Sequence, residues 1–357
     1  MPKMIQHNNN NKTSRQSPRE SARLARRNRR NVARARAGMR AFPCHALLRL
    51  VSVAVPLVIQ QAALLFLSVA TVARVGQTLG AEALAGFSLG NLSYNLLGLT
   101  LVMAPMVALD TYAPQSYGAG RLREVGLGTQ RAVVVAALIL APAAGCWMVA
   151  EPIMLSLGQT AEVARVASRF LRGMLPVLPI QVVFEAAKRF LFAQGILWPS
   201  VLSALLGVAV HAAAVGPLVA SYGFDGAVYS LLLAHGSLTA ALLLYVRLRA
   251  PHAEGTWPGI APRLLLADPR AMRAFCRTAL HGLLTVSEWV FWEVICFRAG
   301  VFGSQSLAVH AVAYNVIPIT FMMPFGLSIA VSNGVRREIA VGIYLGEVDL
   351  GRRALLS

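Results

Sequence analysis

The chain has 357 residues, of which 56% are hydrophobic and 13% charged, and it carries a formal charge of +18. A soluble globular chain holds about 25% charged residues, and the mean hydropathy here is +0.59. These values exclude a soluble enzyme, a disordered chain and a disulfide scaffold, and they point to an all-α, polytopic membrane protein.

The positive charge is concentrated at the start. Residues 1–49 hold 13 of the 33 Lys and Arg and a single acid, Glu20. With the Asn8–Asn11 tract and few large apolar side chains, residues 1–46 read as a disordered basic tail. Such a tail fixes topology and touches anionic lipid, and no nucleic acid is expected as a partner. The four cysteines (Cys44, Cys146, Cys276, Cys296) form no C-x-x-C pair, so neither a disulfide framework nor a metal site is implied.

A helix crossing the hydrocarbon core needs about 20 apolar residues. Eight segments meet this, at roughly 48–72, 84–109, 131–150, 171–192, 197–220, 226–246, 278–297 and 307–331. Pro56, Pro105, Pro142 and Pro318 fall inside them, which is tolerated where neighbouring helices satisfy the freed carbonyl. With the basic tail in the cytoplasm, 28 Lys and Arg fall on that side and 5 on the other; without the tail the ratio is 15 to 5. The asymmetry predicts a multi-pass protein with both termini cytoplasmic, in either a plasma or a vacuolar-type membrane.

The longest loop is rich in Arg and Pro. Residues 249–277 read as a cytoplasmic linker between a six-helix lobe at 47–248 and the first two helices of a second lobe at 278–335. A cytoplasmic segment, 336–357, follows. A short repeat supports the division. Gly80-Ala81-Glu82-Ala83-Leu84-Ala85 precedes the second segment, and Gly303-Ser304-Gln305-Ser306-Leu307-Ala308 precedes the eighth, 223 residues on. Repeats of this kind place a transporter's substrate site between lobes.

Several stretches carry a resemblance. They are Gly76 with Leu79-Gly80 and Ala83-Leu84-Ala85-Gly86, then Ala108-Leu109-Asp110-Thr111 with Gln115-Ser116-Tyr117-Gly118-Ala119-Gly120. Arg189-Phe190-Leu191-x-Ala193-Gln194-Gly195 with Pro199, Glu288-Trp289-x-x-Trp292-Glu293, Leu307-Ala308-x-His310 with Asn315, and Pro324-x-Gly326-Leu327-Ser328 complete the set. Together they resemble the multidrug and toxic compound extrusion (MATE) family in its eukaryotic form. The resemblance implies two rocking six-helix lobes and secondary active antiport. Organic cations or other toxic small molecules would leave in exchange for protons, driven by a H⁺ (or Na⁺) gradient and without a cofactor. Family members usually have twelve spans, so the sequence reads as C-terminally truncated. The alternative is a truncated, non-transporting or oligomer-dependent member of the same family, self-associating through the incomplete second lobe. The Asp of bacterial members in the first span is replaced here, at Ala70, so the resemblance favours a Glu-based proton site.

Glu288 lies ten residues into the seventh segment, about 15 Å deep at 1.5 Å per residue. That is near the middle of a core about 30 Å thick. A carboxylate there is costly and marks function by default. A proton and an organic cation competing for it give the simplest form of antiport. Glu293 lies about 140° further round the helix. Trp292 is four residues after Glu288 and Trp289 four before Glu293, and each ring offers cation–π attraction or plain packing. Gln60, Asn95, Tyr314 and Asn315 are candidates for substrate binding, or for hydrogen bonds between helices. Asp110, Gln115, Gly118, Gly120, Pro324 and Gly326 read as structural motif residues, with the glycines serving a tight turn. His211, His235 and His310 read as structural hydrogen-bonding groups. No G-x-x-x-x-G-K-[ST] loop is present, so ATP drive is not expected, and the resemblance implies a transporter rather than an enzyme.

Overall fold

The computed structural model describes residues 44–250, 252–260 and 268–301. In order these form α1 (Cys44–Thr78), α2 (Ala81–Tyr94), a π-helical turn (Asn95–Leu99), α3 (Thr100–Gly118), α4 (Leu122–Met148) and α5 (Ala150–Ser156). There follow α6 (Ala161–Met174), α7 (Val177–Phe192), α8 (Trp198–Tyr222), α9 (Phe224–Arg249) and α10 (Pro269–Val301). Among the described residues no strand occurs.

Among the described residues, five helical stretches are long and apolar enough to cross a membrane, or six when α6 and α7 count as one bent span. The six segments expected in the first lobe each fall on one of them. The seventh lies within α10, and the eighth, 307–331, lies outside the described residues. The second span is longer than expected: α2, the π-helical turn and α3 run together over 38 residues.

The fourth span is broken where the sequence removes hydrogen-bond donors. Pro176 and Pro179 lack the N–H groups that the carbonyls of Arg172 and Leu175 would otherwise accept. Those carbonyls take shorter-range bonds instead, from Leu175 N at 3.3 Å and Leu178 N at 3.2 Å. The helix bends by 51° there. Pro56, Pro105 and Pro142, by contrast, sit inside continuous helices, as expected. α3 closes at Gly120, whose φ of +70° is the left-handed conformation that favours glycine.

Close helix approach rests on small residues. A Cβ on Gly86 would lie 2.4 Å from the Val166 side chain, and one on Gly90 would lie 2.8 Å from Phe170, so α2 packs directly on α6. Phe87 and Phe170 meet edge-on at 4.9 Å beside this contact. Trp147, Phe170 and Phe184 are among the largest fully buried side chains of the lobe. Leu138, Leu202, Leu206, Leu233 and Leu244 are exposed, as a lipid-facing surface requires.

The expected linker is partly ordered. Residues 252–260 form a strap laid on α4 and α7: the Gln194 side chain accepts a hydrogen bond from Ala253 N at 2.8 Å, and Gln130 Nε2 donates to Gly259 O at 2.7 Å. The Phe190 ring meets His252 at 5.6 Å and Trp257 at 5.7 Å. α10 then starts at Pro269, inside the segment read as linker, and packs on α3.

Candidate functional site

The helix that carries the seventh-segment acids is fixed to the first lobe by its opening turns. Phe275 stacks on Tyr112 of α3 at 5.6 Å, and the Tyr112 hydroxyl lies 3.2 Å from Thr278 Oγ1. At Gly282 a Cβ would lie 2.7 Å from Ala104 O, so the two backbones cross in near contact. Positions 288, 289, 292 and 293 follow on the same helix. The side chains of Glu288, Trp289, Trp292 and Glu293 lie outside the described residues, as do Tyr314, Asn315, Pro324 and Gly326 altogether.

Inside the first lobe the structure brings together charges that sequence reasoning left apart. Arg189 Nε donates to Asp110 Oδ2 at 3.1 Å, and its guanidinium also pairs with Glu185. Lys188 Nζ lies 2.7 Å from Glu185 Oε1. The Glu185 side chain is 1% exposed, that of Arg189 11% and that of Asp110 26%. Two carboxylates and two cations therefore form a neutral quartet between α3 and α7, entered from the Asp110 side. Gln181 and the Met103 sulfur complete its surroundings.

Three sequence readings change here. Asp110, just past the expected end of the second segment at 109, lies eight residues before the end of α3 and is held by an ion pair. Lys188 and Arg189, two of the 28 charges counted on the cytoplasmic side, lie in α7 and are shielded there with Glu185. Glu185 was missed, although an acid followed at three and four residues by Lys and Arg is the helical ion-pair spacing.

The other candidates divide. Gln60 is 1% exposed on α1, and its Nε2 has no partner among the described residues. Asn95 opens the π-helical turn, and its carbonyl accepts both the backbone N–H of Thr100 and the Thr100 hydroxyl, the latter at 2.9 Å. Single π turns inside α-helices recur at functional sites, and nothing in the local sequence announces this one. Gln115 is exposed near the end of α3, with Gly118 and Gly120 at its closing turn.

The chain is similar to several known proteins. The MatE family profile matches residues 56–218. Multidrug and toxin extrusion protein 1 of Danio rerio is 28% identical over 302 residues, which is 83% of this chain and 50% of that protein. Multidrug and toxin extrusion protein 2 of Oryctolagus cuniculus is 29% identical over 274 residues, or 76% of this chain and 44% of that protein. The chain is similar to the MatE family over residues 56–218. Its fold is that of solved MatE structures: the crystal structure of the eukaryotic MATE transporter AtDTX14 aligns with a TM-score of 0.79 at 22% identity, covering 89% of this chain and 69% of that one. The chain spans about half the length of the curated MatE relatives it matches.

Proposed function

We propose that this chain acts in secondary active export, moving organic cations or other toxic small molecules across a membrane in exchange for protons. The observation that carries the reading is the likeness to proteins named for multidrug and toxin extrusion. A match over 83% of the chain takes in positions 288–293 of α10 along with the first lobe. Glu288 is the coupling carboxylate in this reading, with Glu293 in support and Trp289 and Trp292 as aromatic contacts for a cation. Gln60 and Asn95 supply polar contacts from the first lobe. A carboxylate inside a membrane binds a proton or a cation but not both, so uptake of one drives release of the other. The polar quartet around Glu185 has no spare charge for a substrate and is assigned to holding α3 on α7.

The test is proton-gradient-driven efflux of a fluorescent organic cation from proteoliposomes. Wild-type chain and a Glu288→Gln variant of equal folded yield are compared. Efflux that is present in the wild type and lost in the variant supports the reading. Efflux unchanged in Glu288→Gln removes Glu288 from coupling. Absence of efflux from both folded proteins favours a non-transporting or oligomer-dependent role.

A further inference from the structure

The opening turns of α10 divide their side chains between two faces. Phe275 and Ala279 are buried, and a Cβ on Gly282 would meet Ala104 O, so these positions face the first lobe. At about 3.6 residues per turn, Arg270, Arg273 and Arg277 lie within about 60° of one another on the opposite side of the helix. All three are exposed. Leu280, three residues after Arg277 and on the same side, is 59% exposed. Arginine first and leucine one turn deeper is the order that a headgroup layer and a hydrocarbon core require.

Two more arginines stand at this end of the bundle. Ala104 lies by Gly282 and Tyr112 by Phe275, so α3 and α10 run antiparallel. α3 ends at Gly118 and α10 starts at Pro269, each six residues beyond the stacked pair, so the two ends are level. The backbone N–H of Arg121 donates to Ser116 O at 2.9 Å, which seats Arg121 on the last turn of α3. Arg123 follows in the first turn of α4, and α10 also meets α4. Both arginines are exposed. Among the described residues none of the five forms an ion pair. The acids of these segments are engaged: Glu124 pairs with Arg131 at 3.1 Å, and Asp268 caps α10, accepting from Ala271 N at 2.9 Å.

We propose that this end of the α3–α10 seam binds anionic phospholipid headgroups. Phosphate oxygens accept paired N–H bonds from the guanidinium groups, and an acyl chain lies along Leu280. Like charges gathered on packed helices repel, and an anionic headgroup offsets that repulsion. A second copy of the chain fits this face less well, because it brings the same arginines. The site is separate from the acids of α10, and lipid binding there stands whether or not the chain exports cations.

The test uses the full chain with Cys44, Cys146 and Cys296 changed to serine and a bimane fluorophore on Cys276, which is exposed next to Arg277. The labelled chain is placed in vesicles of mixed phosphatidylcholine and phosphatidylglycerol. One lipid or the other is brominated in the upper part of its acyl chains, so quenching reads which lipid adjoins the label. Phosphatidylglycerol is expected there at about fivefold or more above its bulk share, the factor that one basic group near an anionic surface supplies. Changing Arg270, Arg273 and Arg277 together to glutamine should return it to the bulk share. High salt should lower the enrichment in the chain with all its arginines, a measurement that requires no arginine variant to fold. No enrichment, or enrichment that salt leaves unchanged, would overturn the proposal. So would enrichment that survives the triple substitution, which would assign it to the basic tail. A label that neither lipid quenches would also overturn it, because protein then covers the face.

Discussion

Glu185 keeps a carboxylate in the interior of an apolar lobe because Lys188 and Arg189 lie one turn along the same helix and Asp110 balances the second cation from α3. Removing one member of such a set leaves a buried charge uncompensated, which costs about 3–5 kcal/mol. Glu185→Gln should therefore lower the thermal stability of the detergent-solubilised chain by roughly that amount. Glu185→Gln combined with Lys188→Met, which removes charge from both sides, should recover more than half of the loss. Fluorescence-detected size exclusion after heating reads both, and a double variant no more stable than the single would show that charge balance is not what holds the site. The pairing within α7 was legible from spacing alone. The pairing with Asp110, 79 residues earlier, was not, because only the crossing of α3 and α7 brings them together. The same holds for Thr71 and His211, which are 140 residues apart: His211 reads as a hydrogen-bonding group, but its partner is not legible.

Apolar runs and prolines made the six first-lobe segments legible, but not their internal breaks. The π-helical turn at Asn95–Leu99 lies in an apolar run with only Gly98 to mark it, and Gly98 is explained by Trp147, which a Cβ there would meet at 2.9 Å. The strap at 252–260 reads as linker by composition, yet it is anchored by Gln130 and Gln194, and Thr256 in its middle is fully buried. Its seat depends on Gly126, where a Cβ would lie 2.4 Å from Thr256 O and 2.5 Å from Pro258. Overpacking of this kind costs about 1–3 kcal/mol. In a background with the native cysteines changed to serine, Thr256→Cys should react slowly with a maleimide. Adding Gly126→Ala should speed that reaction about tenfold or more, since each 1.4 kcal/mol is tenfold. Gly145→Ala on the same helix, where a Cβ meets nothing within 4 Å, should leave the rate unchanged. Equal rates in all three proteins would mean that Gly126 does not seat the strap.

At the scale of the molecule, orientation is the property that charge counting predicts and packing modifies. Arg131, Lys188 and Arg189 are largely buried in helices, so they do not act as loop charges. Without them the bias outside the tail is 12 Lys and Arg against 5, which keeps its direction. Exposed cysteines at two helix ends make the bias testable on the native chain. Cys146 is free and exposed two residues before the end of α4, and Cys276 is free and exposed in the opening turns of α10. With cytoplasmic termini, α4 runs outward, so Cys146 faces the outside, whereas α10 begins at the cytoplasmic linker and Cys276 faces inward. After Cys44 and Cys296 are changed to serine, a membrane-impermeant maleimide applied to intact cells should label Cys146. Cys276 should label only once the membrane is permeabilised. The reverse order would place the strap and the basic tail on the outer side, and the positive-inside argument would fail for this chain. The expected order instead puts the strap and the α3–α10 contact on the cytoplasmic side, where the inside charge bias and the packing of α10 on α3 coincide.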